Sequence, residues 1–124
     1  LTDSYLARWG WPVPDDQLAL LIKAALSAGA RNVGVDIYRD VPAGTGRDML
    51  LNVLSDPRVI VISRLPGEDT PEILAPAGVK SGFSDIPIDP DGVARRALLL
   101  VNTQEGLALS FPMELAMAFT GKTA

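Results

Sequence analysis

Two aspartates stand where a parallel sheet could use them to bind a ligand. Asp3 lies at the end of a strand predicted over residues 1–4, and Asp36 near the end of one predicted over 32–38. Open α/β sheets bind ligands at the carboxyl edge of their strands. Two carboxylates there could hold Mg²⁺ or Ca²⁺, or accept hydrogen bonds from an amine or hydroxyl. The simpler interpretation is that each caps a loop or pairs with an arginine.

Arg95 is the candidate cation for the same edge. It precedes Arg96 in a strand predicted over residues 93–102, so alternation would send the two side chains to opposite faces. The planar guanidinium fork of Arg95 could then clamp a carboxylate or a phosphate. The alternative is that one arginine anchors the acidic turn Asp89-Pro90-Asp91 while the other is solvated.

Trp9 and Trp11 flank Gly10 in a loop that also holds two prolines, Pro12 and Pro14. Indole rings in such a loop can stack on a sugar or a purine, but they also commonly plug the end of a sheet. We therefore take Asp3, Trp9, Trp11, Asp36 and Arg95 as the predicted ligand-binding set.

Catalysis is not predicted. The chain has no cysteine and no histidine, which removes thiolate nucleophiles, the commonest neutral-pH general base and the commonest transition-metal ligands. Ser4 and Ser63 would need a lysine as their base. The segment Gly44-Thr45-Gly46 lacks the remaining positions of a phosphate loop. We expect no catalytic residue, no metal site and no cofactor, and the net charge of −4 argues against nucleic acid as a partner.

The N-terminal half reads as alternating strands and helices. A helix capped by Asp15 or Asp16 is predicted up to Gly29, because its leucines recur at helical spacing. A second helix is predicted over 47–54, followed by a strand over 58–63. That strand is apolar throughout, as in a central parallel strand. With the strands over 1–4 and 32–38, these elements predict two βαβ units.

The C-terminal half follows another pattern. A loop over 68–78 and a possible short strand over 80–85 lead to the turn Asp89–Gly92. The strand over 93–102 then returns through a hairpin into Leu107–Leu109, and Ser110 can cap a helix over 112–119. The sequence therefore predicts one α/β domain over residues 1–124. Its mixed sheet has parallel βαβ units in the N-terminal half and an antiparallel hairpin near the C-terminus, with helices packed on the sheet.

Four segments in order resemble a known family. They are Arg8-Trp9-Gly10-Trp11-Pro12, Ala28–Ile37, Gly82-Phe83-Ser84-Asp85 leading to Asp89–Arg96, and Leu107–Pro112. Together they are similar to the second class of CHASE-type domains, the cyclase- and histidine-kinase-associated sensory extracellular domains of bacterial receptors. In that family a strand ending in an acidic residue usually precedes the Trp-Pro loop, and Trp9-Gly10-Trp11-Pro12 departs from the common Trp-Pro-Trp-Pro.

The resemblance implies a non-catalytic sensor on the extracytoplasmic side of the bacterial inner membrane. Flanking transmembrane helices would couple it to an adenylate or guanylate cyclase, a histidine kinase or a Ser/Thr kinase. No apolar run here approaches the roughly 20 residues of a span. Because the chain begins with Leu1, we expect a soluble fragment of a longer membrane-anchored receptor. The expected partner is a small molecule or another extracellular signal.

Two alternatives stay open. The domain could be a dimerisation module without a small ligand, with the apolar Leu107–Phe119 segment as the face of a homodimer. It could instead be a cytosolic Mg²⁺-dependent enzyme that uses Asp3 and Asp36.

Overall fold

The computed structural model describes residues 2–122. A short helix α1 (Asp3–Trp9) precedes α2 (Asp15–Ser27), β1 (Val33–Val35), α3 (Arg47–Leu54) and β2 (Val59–Ser63). The second half holds β3 (Ser81–Phe83), β4 (Leu100–Thr103), β5 (Gly106–Leu109) and α4 (Phe111–Thr120). The predicted mixed α/β fold is confirmed.

The strands β1, β2 and β3 form a parallel sheet with β2 in the centre. Val33 pairs with Val59 at one interface, and Ser63 pairs with Phe83 at the other. All four residues from Val59 to Ile62 are buried, which confirms the prediction that this strand is covered on both faces.

The predicted βαβ unit from β1 through α3 to β2 is present. The predicted first unit is wrong, because residues 2–4 start α1 instead of a strand, and Leu1 lies outside the described residues. The Thr2 hydroxyl accepts a hydrogen bond from the Tyr5 amide at 3.3 Å and caps this helix. A polar Thr-Asp-Ser start favours such a cap over a strand.

Helices cover the two faces of the sheet. On one face α2 and α3 enclose a core that includes Leu18, Ile22, Val35, Leu50 and Val61. On the other face α4 lies so close that a Cβ atom added at Gly82 would be 2.6 Å from the Phe111 backbone. Glycine therefore allows this helix to approach the sheet.

The predicted hairpin is present as β4 and β5, which pair antiparallel from Leu100 and Leu109 to Thr103 and Gly106. A bridge between Phe83 and Ser110 places the end of this hairpin beside β3. Ser110 also begins α4, since its hydroxyl accepts from the Met113 amide at 3.3 Å, as predicted.

Candidate functional site

An open groove runs between α2 and the outer edge of β1. It encloses about 190 Å³, and its walls are mostly apolar. The lining residues are Leu18, Leu21, Ile22 and Ala25 from α2, and residues 33–37 from the strand and its exit. We call it the α2–β1 groove.

Asp36 is the predicted site residue that lines this groove. It follows β1 directly and is exposed, so the predicted position at the carboxyl end of a parallel strand is confirmed. The groove therefore has apolar walls and one carboxylate at the end where β1 leaves the sheet.

A chain of hydrogen bonds, made by two hydroxyl groups and one backbone carbonyl, crosses the carboxyl ends of all three parallel strands. The Tyr38 and Ser84 hydroxyl oxygens are 2.8 Å apart, and the Ser84 hydroxyl donates to the Ser63 carbonyl at 3.3 Å. Tyr38 follows β1, Ser63 ends β2 and Ser84 follows β3, so the chain joins the three strand ends. The sequence carries a signal for this arrangement, since each of the three residues lies at or near the end of a predicted strand.

Arg64 and Asp85 extend this polar edge. The Arg64 guanidinium lies 5.9 Å from the centre of the Tyr38 ring, and its Nε donates to the Pro71 carbonyl at 3.0 Å. The Asp85 carboxylate accepts from the Leu65 amide at 2.9 Å. The Asp85 contact joins the exits of β2 and β3, and the Arg64 and Asp85 side chains both follow the carboxyl ends of their strands, as Asp36 follows β1.

Asp3 does not stand at a strand end, and the prediction that placed it there is wrong. It is an exposed residue in the first turn of α1. A carboxylate at that position interacts favourably with the positive end of the helix dipole. The shared sheet edge that motivated a two-aspartate Mg²⁺ site is therefore missing.

Trp9 and Trp11 lie on either side of Gly10, where α1 ends. Trp9 is the last residue of that helix, with the Arg8 guanidinium 5.1 Å from its ring centre and the Tyr5 ring 6.5 Å away. Trp11 is 66% exposed. Neither ring lines the α2–β1 groove.

Arg95 is not in a strand, because residues 93–99 have no regular secondary structure. Its guanidinium donates to the two carboxylate oxygens of Asp91 at 2.9 and 2.7 Å and to Asp89 at 3.2 Å. Arg96 also donates to Asp89. The predicted opposite orientation of the two arginines is wrong, since both close the acidic turn, and the alternative of an anchoring role describes Arg95.

The five predicted residues therefore do not form one cluster. Within residues 2–122 no hydrogen bond, ion pair or ring contact joins Asp36 to Asp3, Trp9, Trp11 or Arg95. The groove and the neighbouring strand ends are the remaining candidate site, with Asp36 as its charged group.

A buried ion cluster holds α2 in place beside the groove. Asp15 is fully buried, and its carboxylate lies 3.6 Å from Nε of Arg39 and 3.5 Å from the Arg47 guanidinium. Burial lowers the pKa of Arg39, the charge of Asp15 opposes that change, and the Arg47 charge adds to it. The Arg39 guanidinium also donates to the Val13 carbonyl at 2.5 Å. Sequence reasoning gave Asp15 only a capping role.

Residues 2–122 contain neither a metal-binding cluster nor a membrane-spanning helix. In that range no group of three or more histidine, cysteine, aspartate or glutamate side chains is arranged to hold a metal ion. No helix there has the length and apolarity needed to cross a membrane.

Comparison with known proteins gives one family. The model of the CHASE2 domain matches residues 1–124, which is the whole chain. No curated protein and no solved structure matches it.

Proposed function

Because the chain belongs to the CHASE2 family, whose members are extracellular sensory domains of receptors, we propose that it receives its signal in the α2–β1 groove. The observation that carries this proposal is the groove itself. It is open to solvent, it has an exposed carboxylate at one end, and it follows the outer edge of the sheet. A family of sensory domains also gives no reason to expect catalysis.

The dimensions of the groove select its ligand. About 190 Å³ is less than the roughly 300 Å³ at which pockets for drug-sized molecules begin. The walls are apolar, so a narrow hydrocarbon chain would bury its surface against Leu21 and Ala25. Asp36 would accept a hydrogen bond from a cationic or donor group at the end of that chain. The proposed ligand class is therefore a narrow molecule with an apolar body and one donor end.

The proposal includes the setting of the domain. The receptor would be a bacterial transmembrane protein, with this domain on the extracytoplasmic side of the inner membrane and a cyclase, histidine kinase or Ser/Thr kinase as its output. A ligand changes such an output only if it binds one conformation more tightly than another. The Asp15 cluster ties the first turn of α2 to the 39–47 segment, so a change at this wall of the groove would be passed to that segment.

Calorimetry and a thermal-shift screen of linear alkylamines against the domain test the proposal. We expect stabilisation by at least one amine, and we expect Leu21→Asp and Asp36→Ala each to abolish it. Leu20→Asp is the matched control, since Leu20 is 51% exposed on the same helix and does not line the groove. Stabilisation that survives both groove substitutions would contradict the proposed site.

Self-association is the second proposed function. Leu107 is 53% exposed on the hairpin and Phe119 is 56% exposed on α4. No described residue of α4 is buried, although the helix is strongly apolar. Sedimentation of the domain at rising concentration tests this function, with Phe119→Asp expected to weaken any association through that face.

A further inference from the structure

Arg64 is a partly buried cation whose two terminal nitrogens have no partner in the described part of the chain. Its Nε donates to the Pro71 carbonyl at 3.0 Å, and its guanidinium lies 5.9 Å from the centre of the Tyr38 ring. Within residues 2–122 no carboxylate forms an ion pair with it. A guanidinium held in this way presents a planar fork that matches a carboxylate.

The fork stands at the carboxyl edge of the sheet, where Arg64 directly follows the central strand β2. Ile62 pairs with Gly82, and an added Cβ at Gly82 would meet the backbone of α4. Because side chains alternate along a strand, Arg64 lies on the same α4 face as Ile62. The chain runs from β1 into α3 on the other face, but from beside β3 into α4 on this one. Open α/β sheets bind ligands at such a divergence.

The Tyr38 hydroxyl presents an acceptor beside this fork. The Ser84 hydroxyl donates to the Ser63 carbonyl at 3.3 Å, so the Tyr38 hydroxyl, 2.8 Å away, donates to Ser84. The phenolic oxygen of Tyr38 can still accept a hydrogen bond. The same contact fixes the ring over which the Arg64 guanidinium lies.

Asp36 places a negative charge near the fork. It comes two residues after Gly34, where an added Cβ would meet side chains of α4, so alternation directs Asp36 to the α4 face. The register of β1 and β2 sets Asp36 opposite Ile62, which puts the Cα atoms of Asp36 and Arg64 about 8 Å apart. No ion pair joins these two side chains in the described structure.

We propose that this edge of the sheet binds a small zwitterion. Its carboxylate occupies the Arg64 fork, and its ammonium group donates to Asp36 and to the Tyr38 oxygen.

The charges around Arg64 select a zwitterion over a singly charged ligand. Asp36 and Asp85 leave the strands on either side of β2, and Glu72 precedes the residue that forms a bridge with Arg64. A plain anion would be repelled by these carboxylates, and a plain amine would leave the guanidinium without a counter-charge. A zwitterion adds no net charge and supplies a partner to both groups.

This inference goes beyond the proposed function, because the fork and the hydroxyl pair do not line the α2–β1 groove. Only Asp36 belongs to both sites. The new site lies across the exits of β1, β2 and β3 and makes no use of the outer edge of β1. A ligand held there would connect the exits of β1 and β2, so its affinity would depend on how those two strand ends are placed.

Calorimetry with three probes of equal chain length tests the proposal. γ-Aminobutyrate carries both charges, butyrate carries only the carboxylate, and butylamine carries only the ammonium group. We expect γ-aminobutyrate to bind the wild-type chain about tenfold more tightly than either singly charged probe, since it gains one further charged hydrogen bond.

Single variants assign the two ends of the ligand. Arg64→Gln should weaken γ-aminobutyrate binding about tenfold and leave butylamine binding unchanged. Arg64→Lys, which keeps the charge without the fork, should recover part of the loss. Asp36→Asn should weaken γ-aminobutyrate binding and leave butyrate binding unchanged. Arg58→Gln is the matched control, because Arg58 lies at the opposite end of β2, where it pairs with Asp56.

The proposal is overturned if γ-aminobutyrate binds no more tightly than both singly charged probes. It is also overturned if Arg64→Gln binds γ-aminobutyrate like the wild type, or if Arg58→Gln loses as much affinity as Arg64→Gln. Thermal unfolding identifies the folded variants, and if Arg64→Gln is unfolded, Arg64→Lys and Asp36→Asn carry the comparison. Butylamine binding without γ-aminobutyrate binding would support the groove alone, and the reverse result would support this edge alone.

Discussion

Asp15 and Arg39 form an ion pair that solvent does not reach. The carboxylate and the guanidinium Nε lie 3.6 Å apart, and their side chains are 0% and 4% exposed. Neither atom of this pair has a hydrogen-bond partner within residues 2–122. The attraction between the two charges therefore has to offset a large loss of hydration, and removing the Asp15 charge leaves the buried Arg39 uncompensated.

We predict that Asp15→Asn lowers the free energy of unfolding by about 3 kcal/mol, because Arg39 stays buried without its counter-charge. Urea unfolding followed by circular dichroism measures the change. Asp48→Asn is the control, since Asp48 is exposed in the first turn of α3 and its loss costs about 1 kcal/mol or less. Equal losses in the two variants would show that the buried pair does not stabilise the fold.

The two glycines beneath α4 differ in what surrounds them. An added Cβ at Gly82 would lie 2.6 Å from backbone atoms of Phe111, whereas at Gly34 it would meet the ends of the Phe111 and Leu115 side chains at 2.8 and 3.0 Å. Side-chain ends can move aside more easily than a helix backbone can. We predict that Gly82→Ala costs about 3 kcal/mol and Gly34→Ala about 1 kcal/mol. Thermal unfolding of both variants measures the difference, and a larger loss at Gly34 would contradict the packing described.

Elements whose signals are local were predictable from the sequence. α3 begins and ends at the predicted residues 47 and 54, and Ser110 caps α4 as predicted. In both cases the cap and the apolar spacing lie within a few residues of each other. The strand predicted over 93–102 forms only from Leu100, and residues 93–99 have no regular structure. A strand needs a partner to pair with, and β5 is only four residues long.

The site was less predictable than the fold. Asp36 could be placed because a strand end is visible in the sequence. The contact between Tyr38 and Ser84 joins residues 46 positions apart, and Asp15 meets Arg39 across two loops. Pairings of that kind depend on the tertiary fold, which the spacing of residues in one sequence does not record.

Arg95 stabilises the acidic turn through Asp91, and this contact predicts a pH dependence. The hydrogen bond from Arg95 lowers the pKa of Asp91, with a smaller contribution from the Val93 amide. A lowered pKa in the folded state means that the contact stabilises the fold above the ordinary carboxyl pKa and is lost as the pH falls through the folded value.

We therefore expect Arg95→Ala to raise the pKa of Asp91 towards its ordinary value of 3.8. A carboxyl-carbon NMR titration measures it directly. Arg96→Ala is the matched control, because Arg96 contacts Asp89 and leaves the Asp91 pair intact. An unchanged Asp91 titration in Arg95→Ala would mean that the arginine is free of the turn in solution, and would return it to the candidate ligand contacts.

The hydroxyl chain from Tyr38 through Ser84 to Ser63 connects the exits of β1, β2 and β3, so its members should be energetically coupled. We predict that Tyr38→Phe lowers the free energy of unfolding by about 1 kcal/mol, the usual net contribution of a hydrogen bond. Tyr5→Phe is the control, because the Tyr5 hydroxyl makes no hydrogen bond within residues 2–122.

Ser84→Ala removes the middle of the chain and should cost as much or more, since its hydroxyl also donates to the Ser63 carbonyl. In the double variant Tyr38→Phe/Ser84→Ala the loss should fall short of the sum of the single losses by about 0.5 kcal/mol or more, because both changes break the same bond. Strictly additive losses would show that the two hydroxyls act independently. The strand exits beside Asp36 would then lack the rigid connection that a shared binding edge requires.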